Sequence, residues 1–187
     1  MTVLVVVLLA LAAWVIFTFN GLVRLRNQVA NAFRQIDVQL KRRHDLIPNL
    51  VESVKGEMKF EKETLERVVQ ARAAAVSAGQ GGNMNEILAK EGQLTQALGR
   101  LFALSENYPN LKANETVKSL MEEVTHTENQ IGFSRQFYND VVTKFNTAQQ
   151  VFPTNLFAGV MGFIPSQLWE LPQDSAERET PKVDLSV

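Results

Sequence analysis

The chain has 187 residues, a formal net charge of −1, two histidines and no cysteine. No basic excess offers a field for nucleic acid, and the missing cysteines exclude disulfides, thiolate metal sites and cysteine nucleophiles together. His44 and His126 are the only imidazoles, which leaves little material for metal or acid–base chemistry.

Residues 1–23, MTVLVVVLLALAAWVIFTFNGLV, carry no charged side chain. At the helical rise of 1.5 Å per residue, positions 3–22 span roughly 30 Å, the thickness of a bilayer's hydrocarbon core. A cleaved signal peptide has a basic lead, a shorter apolar run and a small-residue exit. None of these is present, so the reading is an uncleaved anchor over 1–23. The run is followed by Arg24, Arg26, Arg34, Lys41, Arg42 and Arg43 against one acid, Asp37. Positive flanks stay on the cytoplasmic side. The expectation is therefore a single-pass membrane protein, N-terminus outside and the rest cytoplasmic.

About 164 residues remain, enough for one domain with a core. From Gly21 to Glu57 the residues Val29, Phe33, Ile36, Leu40, Ile47, Leu50 and Val54 recur at helical spacing, with Arg43 in the open slot. Nothing firm separates this helix from the anchor, so one rod is expected. Pro48 lies inside it, has no N–H, and leaves the carbonyl of His44 without its helical partner. A second helix is expected over 60–78, ended by the glycine run 79–82 acting as a linker. A third covers 85–107, stopped by Tyr108-Pro109-Asn110. A fourth covers 115–151, with Asn114 as its cap. Its stripe is Val117, Met121, Val124, Ile131, Tyr138, Val142 and Phe145, with Glu128 and Arg135 in the remaining slots.

No stretch alternates with period two. The fold class is all-α: a transmembrane helix, then an antiparallel four-helix bundle over 24–151 with long first and fourth helices. Residues 152–171 follow, uncharged up to Trp169 and rich in Phe152, Phe157 and Phe163. They are too few to span a bilayer. They either close the open end of the bundle or, the preferred reading, lie at the membrane surface or against another subunit. Residues 172–187 read as a disordered polar tail.

These stretches resemble the LemA family of bacterial membrane proteins. The resemblance rests on RLRNQVANAFRQIDVQLKRRHDLIPNLVESVKG (24–56), TLERVVQAR (64–72), ENYPNLKANET (106–116), TENQIGFSRQFYNDVVTKFN (127–146) and FPTNLFAGVMGF (152–163), in family order. Phe19-Asn20 stands where a Tyr-Asn pair is common, and Phe33 where Trp is common. The resemblance implies a single-pass, N-out protein with a cytoplasmic four-helix bundle. It implies no catalytic residues.

Other motifs fall short. Glu123-x-x-His126 has the spacing of a di-iron ligand pair, but His44 has Lys41 three residues before it, so the second pair is missing. Asp37, His44, Asp45 and Ser53 lack the turn and oxyanion donors of a nucleophile site. The glycine run lacks the Lys-Ser/Thr of a phosphate loop. No cofactor, metal or enzyme activity is expected. Lys41, Arg42 and Arg43 lie about 30 Å along the helix from the anchor, several Debye lengths from headgroups.

The functional expectation is a non-enzymatic scaffold that self-assembles at the membrane, with homo-oligomeric contacts through 3–19 and 152–169. The alternatives are a docking module that recruits a soluble protease or chaperone, and a membrane-shaping assembly. Antiparallel helices of similar length set Arg43 opposite Glu128 and Asp37 near Arg135. The charges pair in the core, or each side chain reaches out to water along a groove edge.

Overall fold

The computed structural model describes residues 1–56, 58, 61–81 and 83–170. It contains α1 (Thr2–Lys55), α2 (Lys62–Gly81), α3 (Met84–Ser105), α4 (Pro109–Ala113), α5 (Glu115–Gln150) and a 3-10 turn (Thr154–Leu156). No strand occurs among the described residues, as the absence of period-two patterning requires. The expected tail, 172–187, lies outside the described residues.

Helix α1 is the single rod that the unbroken pattern predicts. It runs through Pro48, which sits on an exposed face where the helix continues on either side. Its first part is long and apolar enough to cross a membrane, and none of that most apolar window is buried within the protein.

Two differences from the sequence reading have local causes. The glycine run does not end α2, which continues to Gly81; a surface glycine costs a helix only about 1 kcal/mol. Pro109 does not merely stop α3. It occupies the first turn of α4, where a missing N–H costs nothing. The chain thus has five helices among the described residues rather than four in the bundle region.

Caps set two starts. The side chain of Asn83 accepts from the Glu86 N–H at 3.0 Å, opening α3. Asn114 Oδ1 accepts from the N–H groups of Thr116 (3.0 Å) and Val117 (3.3 Å), opening α5 as expected.

The chain divides into two compact units. One comprises Met1–Lys41 with Thr127–Leu168; the other comprises Arg42–His126 and the chain from Trp169. The second unit is a helical bundle around an aliphatic core. Ile47, Leu50 and Val54 of α1 meet Leu65, Val68 and Ala75 of α2, Leu94, Leu98 and Leu101 of α3, and Val117 and Val124 of α5. Leu111 of α4 closes one end. Tyr108 donates to Glu61 Oε1 at 3.1 Å, tying the α3–α4 corner to the start of α2.

The first unit buries Val29, Ile36 and Leu40 of α1 and Ile131 and Val142 of α5, and adds aromatic contacts. Phe33 of α1 meets Tyr138 of α5 edge-on, with centroids 6.0 Å apart. That contact has the antiparallel register expected of two long helices of similar length. Beyond Gln150 the chain leaves α5 and places Phe157 against Trp14, and Phe163 against both Phe19 and Phe145.

Candidate functional site

The bundle unit contains a buried polar cluster centred on Arg43. This side chain is 1 % exposed, the largest among the most deeply buried. Its guanidinium makes a close salt bridge with Glu91 Oε2 of α3 and donates to Thr95 Oγ1 at 2.9 Å. His44 Nε2 approaches the other carboxylate oxygen of Glu91 to 3.0 Å, at an angle outside the hydrogen-bond range.

Burial pushes the Glu91 carboxyl up, but His44 and the Arg43 guanidinium outweigh it and hold the group below its ordinary value of 4.5. Glu91 is therefore a carboxylate at neutral pH, sharing its two oxygens between two helix-one side chains. A buried charge is tolerated in a core only when it is paired in this way.

One turn further along α1, Arg72 of α2 donates its Nε–H to the carbonyl of His44 at 2.6 Å. This is the carbonyl that Pro48 deprives of its helical partner. The proline opens a backbone acceptor, and a guanidinium from the neighbouring helix fills it. Arg43, His44, Pro48, Arg72 and Glu91 thus form one polar junction that fixes α1 against α2 and α3.

Beside the junction lies a groove of ≈ 1060 Å³ between the end of α1 and α2. Ile47, Pro48, Val51, Met58, Leu65 and Val69 supply its apolar lining; Glu52, Lys55, Lys62, Glu66 and Arg72 add charges of both signs. Val69 itself is exposed.

The other singled-out residues fall as follows. Glu128 is half-buried and belongs to the first unit; the inner slot beside Val124 is taken by Thr127, which is fully buried. Its register pairing with Arg43 stays an expectation. Arg135 is exposed rather than in a core slot, because Ser134, half-buried, holds the inner position between Ile131 and Tyr138. Asp37 is exposed as well. Phe152 and Phe157 are exposed, Phe163 is buried at 4 %, and Trp169 is buried at 2 % in the second unit. No group of three or more His, Cys, Asp or Glu side chains comes together in a metal-holding arrangement among the described residues.

Glu91 was the residue missed. It occupies a stripe slot of α3 between Leu88 and Leu94, the same signal that marks Arg43 on α1.

The architecture defines an all-helical protein with one membrane-length apolar helix continuous with a bundle. Its family follows from direct comparison: the LemA family model matches residues 32–185, and the chain belongs to the LemA family. Among its relatives, magnetosome proteins MamQ 1 and MamQ 2 of Paramagnetospirillum magneticum (strain AMB-1) are each 24 % identical over 204 residues, covering 97 % of this chain and 74 % of the relative. Protein LemA of Metamycoplasma hominis is 29 % identical over 139 residues, covering 74 % of this chain and 63 % of the relative.

Proposed function

We propose that this protein is a non-enzymatic scaffold, anchored in the bacterial inner membrane by residues 3–22 and self-assembling there. The observation that carries the reading is the continuity of α1. One helix leads from an apolar stretch with no buried residue into the bundle core, with no joint between anchor and domain. The Arg24 and Arg26 flank sets the N-terminus outside and the bundle in the cytoplasm. Two of the relatives are named magnetosome proteins.

Protease added to spheroplasts should leave the bundle intact and digest it in inverted vesicles; the reverse pattern would contradict the orientation. Sizing in mild detergent should give a mass well above the monomer, and a monomeric mass unchanged with concentration would contradict self-assembly.

The groove at the end of α1 favours a second reading, a docking module for a soluble protein. Its apolar lining and mixed charges suit a peptide segment more than a small ion. A monomer in detergent that retains one crosslinked soluble protein in cells would favour this reading over the scaffold.

A further inference from the structure

We propose that residues 151–164 form a wedge sunk into one leaflet of the bilayer, so that the protein holds the membrane at two points rather than one. The proposal rests on the reading of 3–22 as a membrane-spanning helix.

The excursion begins and ends at the same height on α5. The chain leaves α5 after Gln150. It returns to be clamped by Asn146, whose side chain donates to the Ser166 carbonyl at 2.9 Å and accepts from the Ser166 N–H at 2.8 Å. Tyr138 donates to the Gln167 carbonyl at 2.9 Å, fixing the exit further. Between these points the segment reaches outward along α1.

Its ring contacts measure how far it goes. Phe163 packs edge-on against Phe19 (5.6 Å) and under the guanidinium of Arg26 (5.5 Å), at the polar edge of the apolar run. Phe157 packs against Trp14 at 6.0 Å. Trp14 lies eight residues before Leu22, roughly 12 Å deeper along the helix. If α1 crosses a bilayer, Phe157 stands at that depth too. On α1 the residues Trp14, Val15, Thr18, Gly21 and Leu22 are wholly or partly covered, at helical spacing, while positions 1–13 are exposed.

The outer face of the segment has no cover. Phe152 is 79 % exposed, Leu156 60 %, Val160 89 % and Ile164 78 %, and no charge occurs from Phe145 to Trp169. In water this face would be costly, whereas in acyl chains it is matched.

Backbone polarity is the usual objection to irregular chain in hydrocarbon. Here the N–H groups of 155–158 and 161–163 all donate within the segment. Its end is a glycine-closed turn: Phe163 N–H reaches the Ala158 carbonyl and Gly162 N–H the Gly159 carbonyl, with Gly162 at φ 78°. Only glycine adopts that angle freely, and the turn leaves few donors for water to satisfy.

The native chain lacks cysteine, so single-cysteine variants report single sites. Full-length protein carrying Ala12→Cys, Val160→Cys or Gln96→Cys, each labelled with a fluorescent maleimide, is reconstituted into phosphatidylcholine–phosphatidylglycerol vesicles. The acyl chains are brominated near either the headgroup or the methyl end. The wedge predicts loss of emission at 160, strongest with bromine near the headgroup. Position 12 should lose emission most with bromine near the methyl end, and position 96 should lose none. Quenching at 12 but not at 160 overturns the wedge and leaves the spanning helix standing. Protection of 160 that rises with protein-to-lipid ratio, without quenching, assigns the face to a second copy and overturns it equally. No quenching at 12 or 160 overturns both readings. Leu156→Cys, on the same face, repeats the measurement should Val160→Cys fail to fold.

Discussion

The two units hide their apolar surface in different ways. The bundle unit turns its Leu, Ile and Val side chains towards one another, and its buried Arg43 finds Glu91 within the same unit. The other unit buries aliphatic side chains too, Val29, Ile36, Leu40, Ile131 and Val142 among them, and adds aromatic edge contacts, but it keeps a large apolar face outward on residues 3–13 and on Phe152, Leu156, Val160 and Ile164. One region folds against water, while the other requires a second apolar phase to complete it. Within the first unit the pattern of α1 changes from uniformly apolar to a stripe near Leu22.

Breaking the polar junction should separate the regions most. Arg43→Met leaves Glu91 charged and buried beside His44, which should cost about 3–5 kcal/mol. Arg43→Met combined with Glu91→Leu should cost much less than the two singles summed, as seen in thermal melts of the full chain in detergent. Additive losses would mean the pair carries no coupling. Acid sharpens the same point. Because the folded state holds the Glu91 carboxyl below 4.5, its contribution is complete above that pH and disappears as pH falls through the lowered value. Glu91→Gln should flatten that part of the stability–pH curve; an unchanged acid limb would assign it to other carboxylates.

Core truncation should discriminate next. Leu50→Ala, fully buried in the bundle, should cost about 2–5 kcal/mol. Leu156→Ala, exposed on the wedge, should stay within about 0.5 kcal/mol when lipid or detergent covers both forms. Equal losses at the two sites would erase the distinction.

A smaller effect comes from the proline acceptor. Arg72→Met strands the His44 carbonyl and should cost about 1–3 kcal/mol. Adding Pro48→Ala restores an N–H to that carbonyl and should recover part of the loss. If Pro48→Ala gives the same gain with Arg72 present or absent, the two residues are not linked. Smallest is the helix cap: Asn114→Ala should cost about 1 kcal/mol, confined to the start of α5.

Much of this was legible in the residues. The anchor, the continuous α1, the Asn114 cap and the stripes of α1, α3 and α5 all follow from periodicity and charge. The stripe slot of Arg43 between Leu40 and Ile47 is legible as well, with pairing in the core and a reach to water both open; the structure buries the side chain. What periodicity cannot give is the identity of the facing helix. Two stripe slots at matching height suggested Glu128, while Glu91 lies on α3, whose rotation relative to α1 depends on packing. A period of 3.6 also blurs neighbouring slots, which is why Thr127 and Ser134 hold inner positions assigned to Glu128 and Arg135. The Pro48 defect was visible; its partner, Arg72, was not, because a side chain crossing between helices leaves no local signal.

The native chain carries one tryptophan in each unit, Trp14 and Trp169, so its own fluorescence compares the two environments most directly. In vesicles with brominated acyl chains, the Trp169→Phe variant should show Trp14 quenched by lipid and shielded from acrylamide. The Trp14→Phe variant should show Trp169 shielded from both until the bundle melts, and quenched by acrylamide thereafter. Lipid quenching of Trp169 in the folded state, or free acrylamide access to Trp14, would contradict the division into a water-folded bundle and a lipid-completed anchor.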